Sequence, residues 1–120
     1  MHLRIFTYFA LLSIVTGGGH AIGQDLPNFL RQLIEQYESA SEMNSPGSIW
    51  RYNYKGAVVF YMPPFLCCDL PSQLYDEVGN VICAPDGGIA GVGDGACPNF
   101  FGKRTGGQRV WFDPRIEVPE

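Results

Sequence analysis

The sequence predicts an α+β fold: one N-terminal helix packed on a small antiparallel β-meander, with a disulfide-tied, glycine-rich loop. An early segment repeats apolar residues at helical spacing, and later segments alternate aromatic and polar residues between tight-turn signals. Four cysteines cluster in the second half of the chain, with a run of glycines between the last two. Disulfides are expected because so small a domain gains little stability from its core alone.

Residues 1–23 have the three parts of a secretory signal peptide. One basic residue, Arg4, precedes an apolar run over 5–15, and Ala21 and Gly23 occupy the −3 and −1 positions of a cleavage site. The run is shorter than the roughly 20 residues that cross a bilayer, and no later segment is long enough. The sequence therefore predicts a secreted, extracellular protein with no membrane span in its mature chain.

Residues 24–48 are predicted to form the helix and a linker. Asp25 is the expected N-cap of a helix over 25–40, with Pro27 in the first turn, where its missing N–H costs nothing. Turn-forming residues over 41–48 then end the helix. The apolar stripe expected to face the sheet consists of Phe29, Leu30, Leu33, Ile34 and Tyr37.

Residues 49–100 form the predicted cysteine-containing β domain. A tight turn at Lys55-Gly56 joins the first two strands into a hairpin. The four predicted strands cover 49–54, 57–62, 73–76 and 81–83. Aromatic side chains are expected to supply most of the core, namely Trp50, Tyr52, Tyr54, Phe60 and Tyr75.

Residues 101–120 are predicted to be an irregular C-terminal tail. A short edge strand over 109–112 is the regular element expected there, and the final DPRIEVPE segment is expected to trail in solvent. Lys103-Arg104 follows a glycine in the order of a peptide-processing site, but a charged surface turn is favoured, because a folded, disulfide-bonded domain would lie directly upstream. The sequence leaves these two interpretations open.

All four cysteines are predicted to form disulfides, because an even, clustered set in a secreted chain is typical of them. The spacing contains no C-x-x-C pair, which argues against a zinc site. A bond between the adjacent Cys67 and Cys68 is least favoured, because their Cα atoms are too close together. Two pairings stay open: Cys67–Cys83 with Cys68–Cys97, or Cys67–Cys97 with Cys68–Cys83.

The glycine-rich loop between the last two cysteines is the candidate contact surface. It matches neither of the phosphate-binding patterns G-x-x-x-x-G-K-[ST] and G-x-G-x-x-G. We expect its glycines to adopt positive φ angles and Asp86 and Asp94 to cap its turns. The same two carboxylates are the candidates for a calcium site, and no other metal or cofactor is predicted. The candidate loop contacts are Asp86, Gly87, Gly88, Gly91, Gly93, Asp94 and Gly95.

The composition excludes several classes of function. Both histidines, His2 and His20, lie in the predicted signal peptide, so the mature chain has no residue for Ser-His-Asp or Cys-His catalysis. The formal net charge is −4 and no basic run is present, which argues against a nucleic-acid partner. A hydrolase with paired aspartates stays formally open, although it needs a cleft for which so small a domain rarely has room.

Three stretches carry a distinctive order of cysteines, glycines and aspartates: YKGAVVFYMPP, CCDLPSQLYD and GNVICAPDGGIAGVGDGACPNF. In these stretches the chain resembles a family of small secreted proteins of unknown function, with the pattern CCD-x-x-S-x-LYD followed by IC-x-PDGGI-x-G-x-GDG-x-CP-x-F. The resemblance covers about half of the mature chain. It implies a fold and a disulfide pattern, and it implies no reaction.

Three functional hypotheses follow. The first is a secreted, non-enzymatic structural or binding module of an extracellular matrix, which includes the case of a mineralised matrix. Its partner would be an unknown extracellular protein or matrix component. The second is a secreted inhibitor or ligand that acts through residues 84–95. The third is the small aspartate-dependent hydrolase.

Overall fold

The computed structural model describes residues 25–65 and 69–116. The predicted α+β fold is confirmed: one main helix packs on a five-stranded antiparallel sheet. Within the described ranges, no helix combines the length and the apolar character that crossing a membrane requires. The elements in chain order are α1 (Asn28–Ser39), a 3-10 turn (Glu42–Asn44), β1 (Ser48–Tyr54), β2 (Ala57–Met62), β3 (Gln73–Tyr75), β4 (Val81–Cys83), α2 (Phe100–Lys103) and β5 (Thr105–Phe112).

Helix α1 begins after Pro27, and its apolar stripe faces the sheet as predicted. The Pro27 carbonyl accepts hydrogen bonds from the N–H groups of Leu30 and Arg31 at 3.0 and 3.1 Å, so Pro27 itself is the N-cap. The predicted N-cap at Asp25 is therefore wrong. A proline fits the N-cap position because the residue there needs a carbonyl for the helix and no N–H. The fully buried residues of the stripe are Leu30, Ile34 and Tyr37.

The strand order in the sheet is β4-β3-β2-β1-β5. The first four strands form the predicted meander, and Tyr54 pairs with Ala57 across the tight turn of Lys55 and Gly56. Both turn residues have positive φ angles, +53° and +80°, as a type I′ hairpin turn requires. The last strand, β5, returns to pair with β1 and forms the edge opposite β4.

The strand β5 begins at Thr105 and is longer than the predicted strand over 109–112. The prediction of an irregular tail over 101–120 is therefore wrong for the residues of β5. The glycines Gly106 and Gly107 weaken the strand signal because glycine packs no side chain. They are needed for space: a Cβ at Gly107 would lie 2.6 Å from Cε1 of Tyr52, and one at Gly106 would lie 2.9 Å from Nδ2 of Asn53. The side chains of β1 thus occupy the room that these glycines leave.

The sheet has a buried cluster on each face, because successive strand residues point to opposite sides. The aromatic residues predicted to supply most of the core are divided between the two clusters. The helix side holds Leu26, Leu30, Ile34, Tyr37, Ile49, Phe60, Met62, Tyr75, Val110 and Trp111. The loop side holds Tyr54, Val59, Tyr61, Leu74, Cys83, Cys97 and Phe100, with Trp50 and Tyr52 packed against them.

The residues after β5 are attached to the helix, so the predicted solvent-exposed tail is wrong for 113–116. The Asp113 side chain is buried, and the backbone N–H of Asp113 donates to the Gly47 carbonyl at 2.9 Å. The Arg115 guanidinium donates to the carbonyls of Ala40 (2.7 Å) and Tyr37 (2.9 Å), which lie at the C-terminal end of α1. These bonds cap carbonyls at the end of the helix, and that of Tyr37 also accepts the backbone N–H of Ala40 at 3.3 Å.

Candidate functional site

A disulfide between Cys83 and Cys97 closes the glycine loop at its base. Both cysteines are buried, their Cα atoms are 6.1 Å apart, and they belong to the loop-side cluster with Phe100. In the chain-entropy account, closing a loop of about 15 residues stabilises a fold by about 3 kcal/mol. The two ends of the loop are therefore fixed to the sheet.

Both predicted disulfide pairings are wrong, since each of them joined Cys83 to Cys67 or Cys68. The path of the loop explains the difference. The N–H of Asp94 donates to the Ala84 carbonyl at 2.9 Å, so the chain doubles back and its two flanking cysteines meet. Residues 67 and 68, and the predicted signal peptide, lie outside the described residues.

Asp86 anchors the loop to the sheet through Ser72, which is fully buried. The N–H and Oγ of Ser72 donate to the Asp86 carbonyl at 2.9 and 3.1 Å, and the Asp86 N–H donates to Oγ of Ser72 at 3.1 Å. The Asp86 carboxylate accepts a hydrogen bond from the Tyr61 hydroxyl at 2.9 Å. The prediction that Asp86 caps a turn is wrong, because its carboxylate reaches a strand residue instead.

Burial raises the pKa of Tyr61 well above its ordinary value, and the Asp86 carboxylate beside its hydroxyl raises it further. Tyr61 therefore stays protonated at neutral pH and keeps its proton as a hydrogen-bond donor. A neutral donor to a carboxylate is a charge-assisted bond, stronger than a neutral pair. The contact acts as a structural tie and leaves no ionised hydroxyl for catalysis.

Two positions inside the loop have room only for glycine. The Gly93 N–H donates to the Gly87 carbonyl at 3.1 Å and joins the two halves of the loop. We call this contact the crossing. A Cβ at Gly93 would overlap the Ala84 carbonyl oxygen, and a Cβ at Gly87 would lie 2.7 Å from Cγ of Pro64. Both residues also have positive φ, +83° at Gly87 and +70° at Gly93, as expected for glycines in this loop.

Asp94 caps a turn as predicted: its Oδ1 accepts the Ala96 N–H at 2.9 Å. Each carboxylate named as a calcium candidate thus accepts a hydrogen bond from the protein. Among residues 25–65 and 69–116, no group of three or more His, Cys, Asp or Glu side chains is placed to hold a metal ion.

The apex of the loop presents two aliphatic side chains to solvent. The Gly91 N–H donates to the Gly88 carbonyl at 3.1 Å, which makes a turn with Ile89 at its second position. The Ile89 side chain is 94% exposed, and that of Val92 is 68% exposed. Because the base is fixed, these two side chains are held out from the sheet.

The predicted contact residues divide into two groups. Asp86, Gly87, Gly88 and Gly93 are half-buried and set the shape of the loop, whereas Gly91, Asp94 and Gly95 are exposed. Sequence reasoning missed the exposed Ile89 and Val92. The available signal was two aliphatic residues within a glycine-rich stretch that is too short to bury them.

Residues 35–113 match the family described as a domain of unknown function, DUF6970. The chain belongs to this family. The DUF6970 match runs from within α1 to the first residue after β5, so it takes in the sheet, the loop and the Asp113 contact. The chain matches neither a curated protein nor a solved structure. Because the DUF6970 description names no activity, the function has to be argued from the site.

Proposed function

We propose that the protein is a secreted, non-enzymatic binding module that contacts an extracellular protein through the apex of its glycine loop. The observation that carries the proposal is the exposure of Ile89 and Val92 on a loop whose base is fixed. The Asp86 hydrogen bonds and the Cys83–Cys97 bond restrict the loop before any partner arrives. Such preorganisation lowers the entropy lost on binding and therefore favours affinity.

The loop chemistry favours a protein partner over mineral or calcium. A mineral surface needs several exposed anionic side chains, but the loop has two carboxylates, of which that of Asp94 is exposed and that of Asp86 is half-buried and bonded to Tyr61. The exposed apex groups are aliphatic instead. Aliphatic side chains gain free energy when a partner removes them from water, and a protein surface offers the matching apolar contact.

A cavity next to the loop is smaller and less polar than a typical small-molecule site. Phe65, Leu70, Pro71 and Gln73 line it, and its volume is about 190 Å³. Pockets that enclose small-molecule ligands typically begin at about 300 Å³ and combine an apolar lining with several polar groups. Among the residues that the structure describes, this lining offers a single polar side chain, Gln73, and no acid or base.

An apex substitution tests the proposed contact. Bait protein carrying Ile89→Ser should lose a partner that the unchanged protein recovers from the extracellular fraction of its source. Val78→Ser is the matched control, because Val78 is also an exposed aliphatic side chain, at 76%, and lies in the β3–β4 turn. Recovery of the same proteins by the Ile89→Ser bait would contradict the proposal.

Secretion is tested separately. The proposal expects N-terminal sequencing of protein from the culture medium to begin at Gln24, with or without cyclisation of that glutamine. A chain that still carries Met1 in the medium would show that residues 1–23 are not a cleaved signal peptide.

A further inference from the structure

Basic residues gather in one part of an acidic protein. None of the 12 Asp and Glu residues lies in the segments 43–68 and 95–112, although the chain has a formal net charge of −4. The structure joins these segments, because β2, β1 and β5 are neighbours in the sheet and α2 leads directly into β5. The basic residues within them are Arg51, Lys55, Lys103, Arg104 and Arg109.

Partly exposed aromatic rings lie among these cations on the loop side of β1. Trp50 and Tyr52 are half-buried, with ring centroids 6.3 Å apart and planes inclined by only 16°. The Tyr52 ring lies against Gly107 of β5, where a side chain would collide with it. Phe101 on α2 adds a third ring, 42% exposed.

Arg104 sits within the aromatic group. Its guanidinium carbon lies 5.0 Å from the centroid of the Tyr52 ring and 4.8 Å from that of Phe101. In the described part of the chain, its side chain makes no hydrogen bond or ion pair, so the N–H groups stay available to an anion. Stacking holds the guanidinium in place and leaves its fork of donors free.

Two further cations flank the rings. Arg109 is the register partner of Trp50 across the β1–β5 ladder, and residues directly opposite in an antiparallel pair share a face. Lys103 ends α2 immediately before Arg104 and is exposed. We call this the basic aromatic surface, defined by Trp50, Tyr52, Phe101, Lys103, Arg104 and Arg109.

We infer that the basic aromatic surface binds an anionic polysaccharide, one that carries carboxylate or sulfate groups on its sugar rings. The positive charge complements the anionic groups, and Arg104 offers them a planar set of N–H donors. This site is separate from the loop apex, so the inference does not depend on the proposed protein contact.

The aromatic rings favour a polysaccharide over an acidic peptide. An acidic peptide would need the cations alone. The nearly parallel rings of Trp50 and Tyr52 add flat, rigid apolar surface, against which the C–H face of a sugar ring packs. A repeating polymer places an anionic group near each such face, which matches the rings of Trp50 and Tyr52 with cations close beside them.

Fluorescence titration measures the binding directly. Trp111 is fully buried, so a change in emission on titration reports mainly on Trp50. We expect heparin and polygalacturonate to shift the emission and to bind at low salt, with affinity falling as salt screens the charges. Neutral dextran should not bind comparably, and polyglutamate should bind more weakly than either polysaccharide.

Matched variants test whether the basic aromatic surface is the binding site. Arg104→Gln should weaken heparin binding by about tenfold or more, as expected for the loss of a charge-assisted hydrogen bond. Arg31→Gln removes the same charge from an exposed position on α1, across the sheet, and should leave the affinity unchanged. Gly107→Ala keeps every charge but displaces the Tyr52 ring and disturbs the Arg104 stacked on it, so it should weaken polysaccharide binding more than polyglutamate binding.

Melting temperatures show that each variant is folded. Trp50→Leu removes the flat ring with less loss of volume than alanine and should weaken heparin binding. Because this variant also lacks the fluorescent reporter, its affinity is compared with that of the unchanged protein by calorimetry. Three results would overturn the inference. The first is that neither anionic polysaccharide binds. The second is that Arg31→Gln and Arg104→Gln weaken heparin binding equally. The third is that polyglutamate binds as tightly as heparin and that Gly107→Ala has no effect on binding. The last result would indicate an acidic protein partner.

Discussion

The carboxylate of Asp113 and the guanidinium of Arg115 form a two-pronged ion pair, with Nε–Oδ1 and Nη2–Oδ2 distances of 2.9 and 2.7 Å. The Asp113 side chain is 1% exposed, whereas that of Arg115 is 34% exposed. The same guanidinium binds the carbonyls of Tyr37 and Ala40 at the end of α1. The pair therefore fixes the end of β5 to the end of the helix.

Replacing the buried carboxylate should destabilise the fold. Asp113→Asn removes the charge that orients Arg115 and leaves a buried group with poorer hydrogen bonds, so we expect a loss of about 1 to 3 kcal/mol in the free energy of unfolding. Urea titration measures it. Glu35→Gln, at an exposed helical position, is the control and should change the midpoint little. Equal midpoints for the two variants would contradict a structural role for the pair.

The same pair makes stability depend on acid pH. Hydrogen bonds from Arg115 lower the pKa of Asp113 from 3.8 to about 2. Because the folded pKa of Asp113 lies below the unfolded one, the stability that the ion pair contributes is complete above about pH 4 and is lost as the pH falls through 2. Urea midpoints should therefore fall between pH 4 and pH 2. The fall should be smaller in Asp113→Asn, and an unchanged pH profile in that variant would show that other carboxylates dominate.

Local patterns predicted those elements whose causes lie within a few residues. The stripe of Leu30, Ile34 and Tyr37 and the positive-φ turn at Lys55-Gly56 each follow from one short segment, and both are found as predicted. The hairpin register then follows from the turn. Most of the helix and the meander could therefore be read from the sequence.

Features that depend on distant contacts could not be predicted in this way. The glycines of β5 look like a break in a strand until Tyr52 is seen to occupy their space. The loop anchor joins Asp86 to Ser72 and Tyr61, fourteen and twenty-five residues away in sequence. The cysteine pairing likewise depends on a loop that folds back on itself, and spacing alone cannot show such a path.

The crossing inside the glycine loop predicts unequal costs for two alanine substitutions. Gly91 has a positive φ of +80° but open space where a Cβ would lie, so Gly91→Ala should cost about 1 kcal/mol of backbone strain. Gly93→Ala carries the same kind of strain and also forces the Cβ onto the Ala84 carbonyl oxygen, so it should cost clearly more. Urea titration compares the two. Equal losses would mean that the loop opens without penalty at the crossing.

Calcium should have no effect on stability. The candidate carboxylates of Asp86 and Asp94 accept hydrogen bonds from Tyr61 and Ala96, so each is already engaged within the fold. We expect the melting temperature to be the same in EDTA and in millimolar calcium. A bound ion would instead raise stability by about 2.7 kcal/mol at a hundredfold excess over its dissociation constant. A clear rise with calcium, lost in Asp94→Asn, would establish a site in the loop.

Peptide mapping of the unreduced protein should find Cys83 and Cys97 in one crosslinked pair. Cys97→Ser should lower the free energy of unfolding by about 3 kcal/mol, the chain-entropy value for a loop of this length. That loss is a large share of the stability of a small domain, so, under the proposal that the protein is secreted, the variant should reach the medium in smaller amounts than the unchanged protein. The substitution should also loosen the loop apex, because only the backbone bonds of Gly93 and Asp94 then hold the second half of the loop to the half that Asp86 anchors.

Limited proteolysis distinguishes a freed loop from a generally unfolded chain. Cleavage within residues 84–96 should appear first in Cys97→Ser, while the α1 and β1 segments stay protected until higher protease concentrations. Ala96→Ser is the matched control, since it alters an exposed neighbour and leaves the disulfide in place. A crosslink from Cys83 to either cysteine at 67 or 68 would show that the loop is closed in another way, and the fixed apex would then need a different explanation.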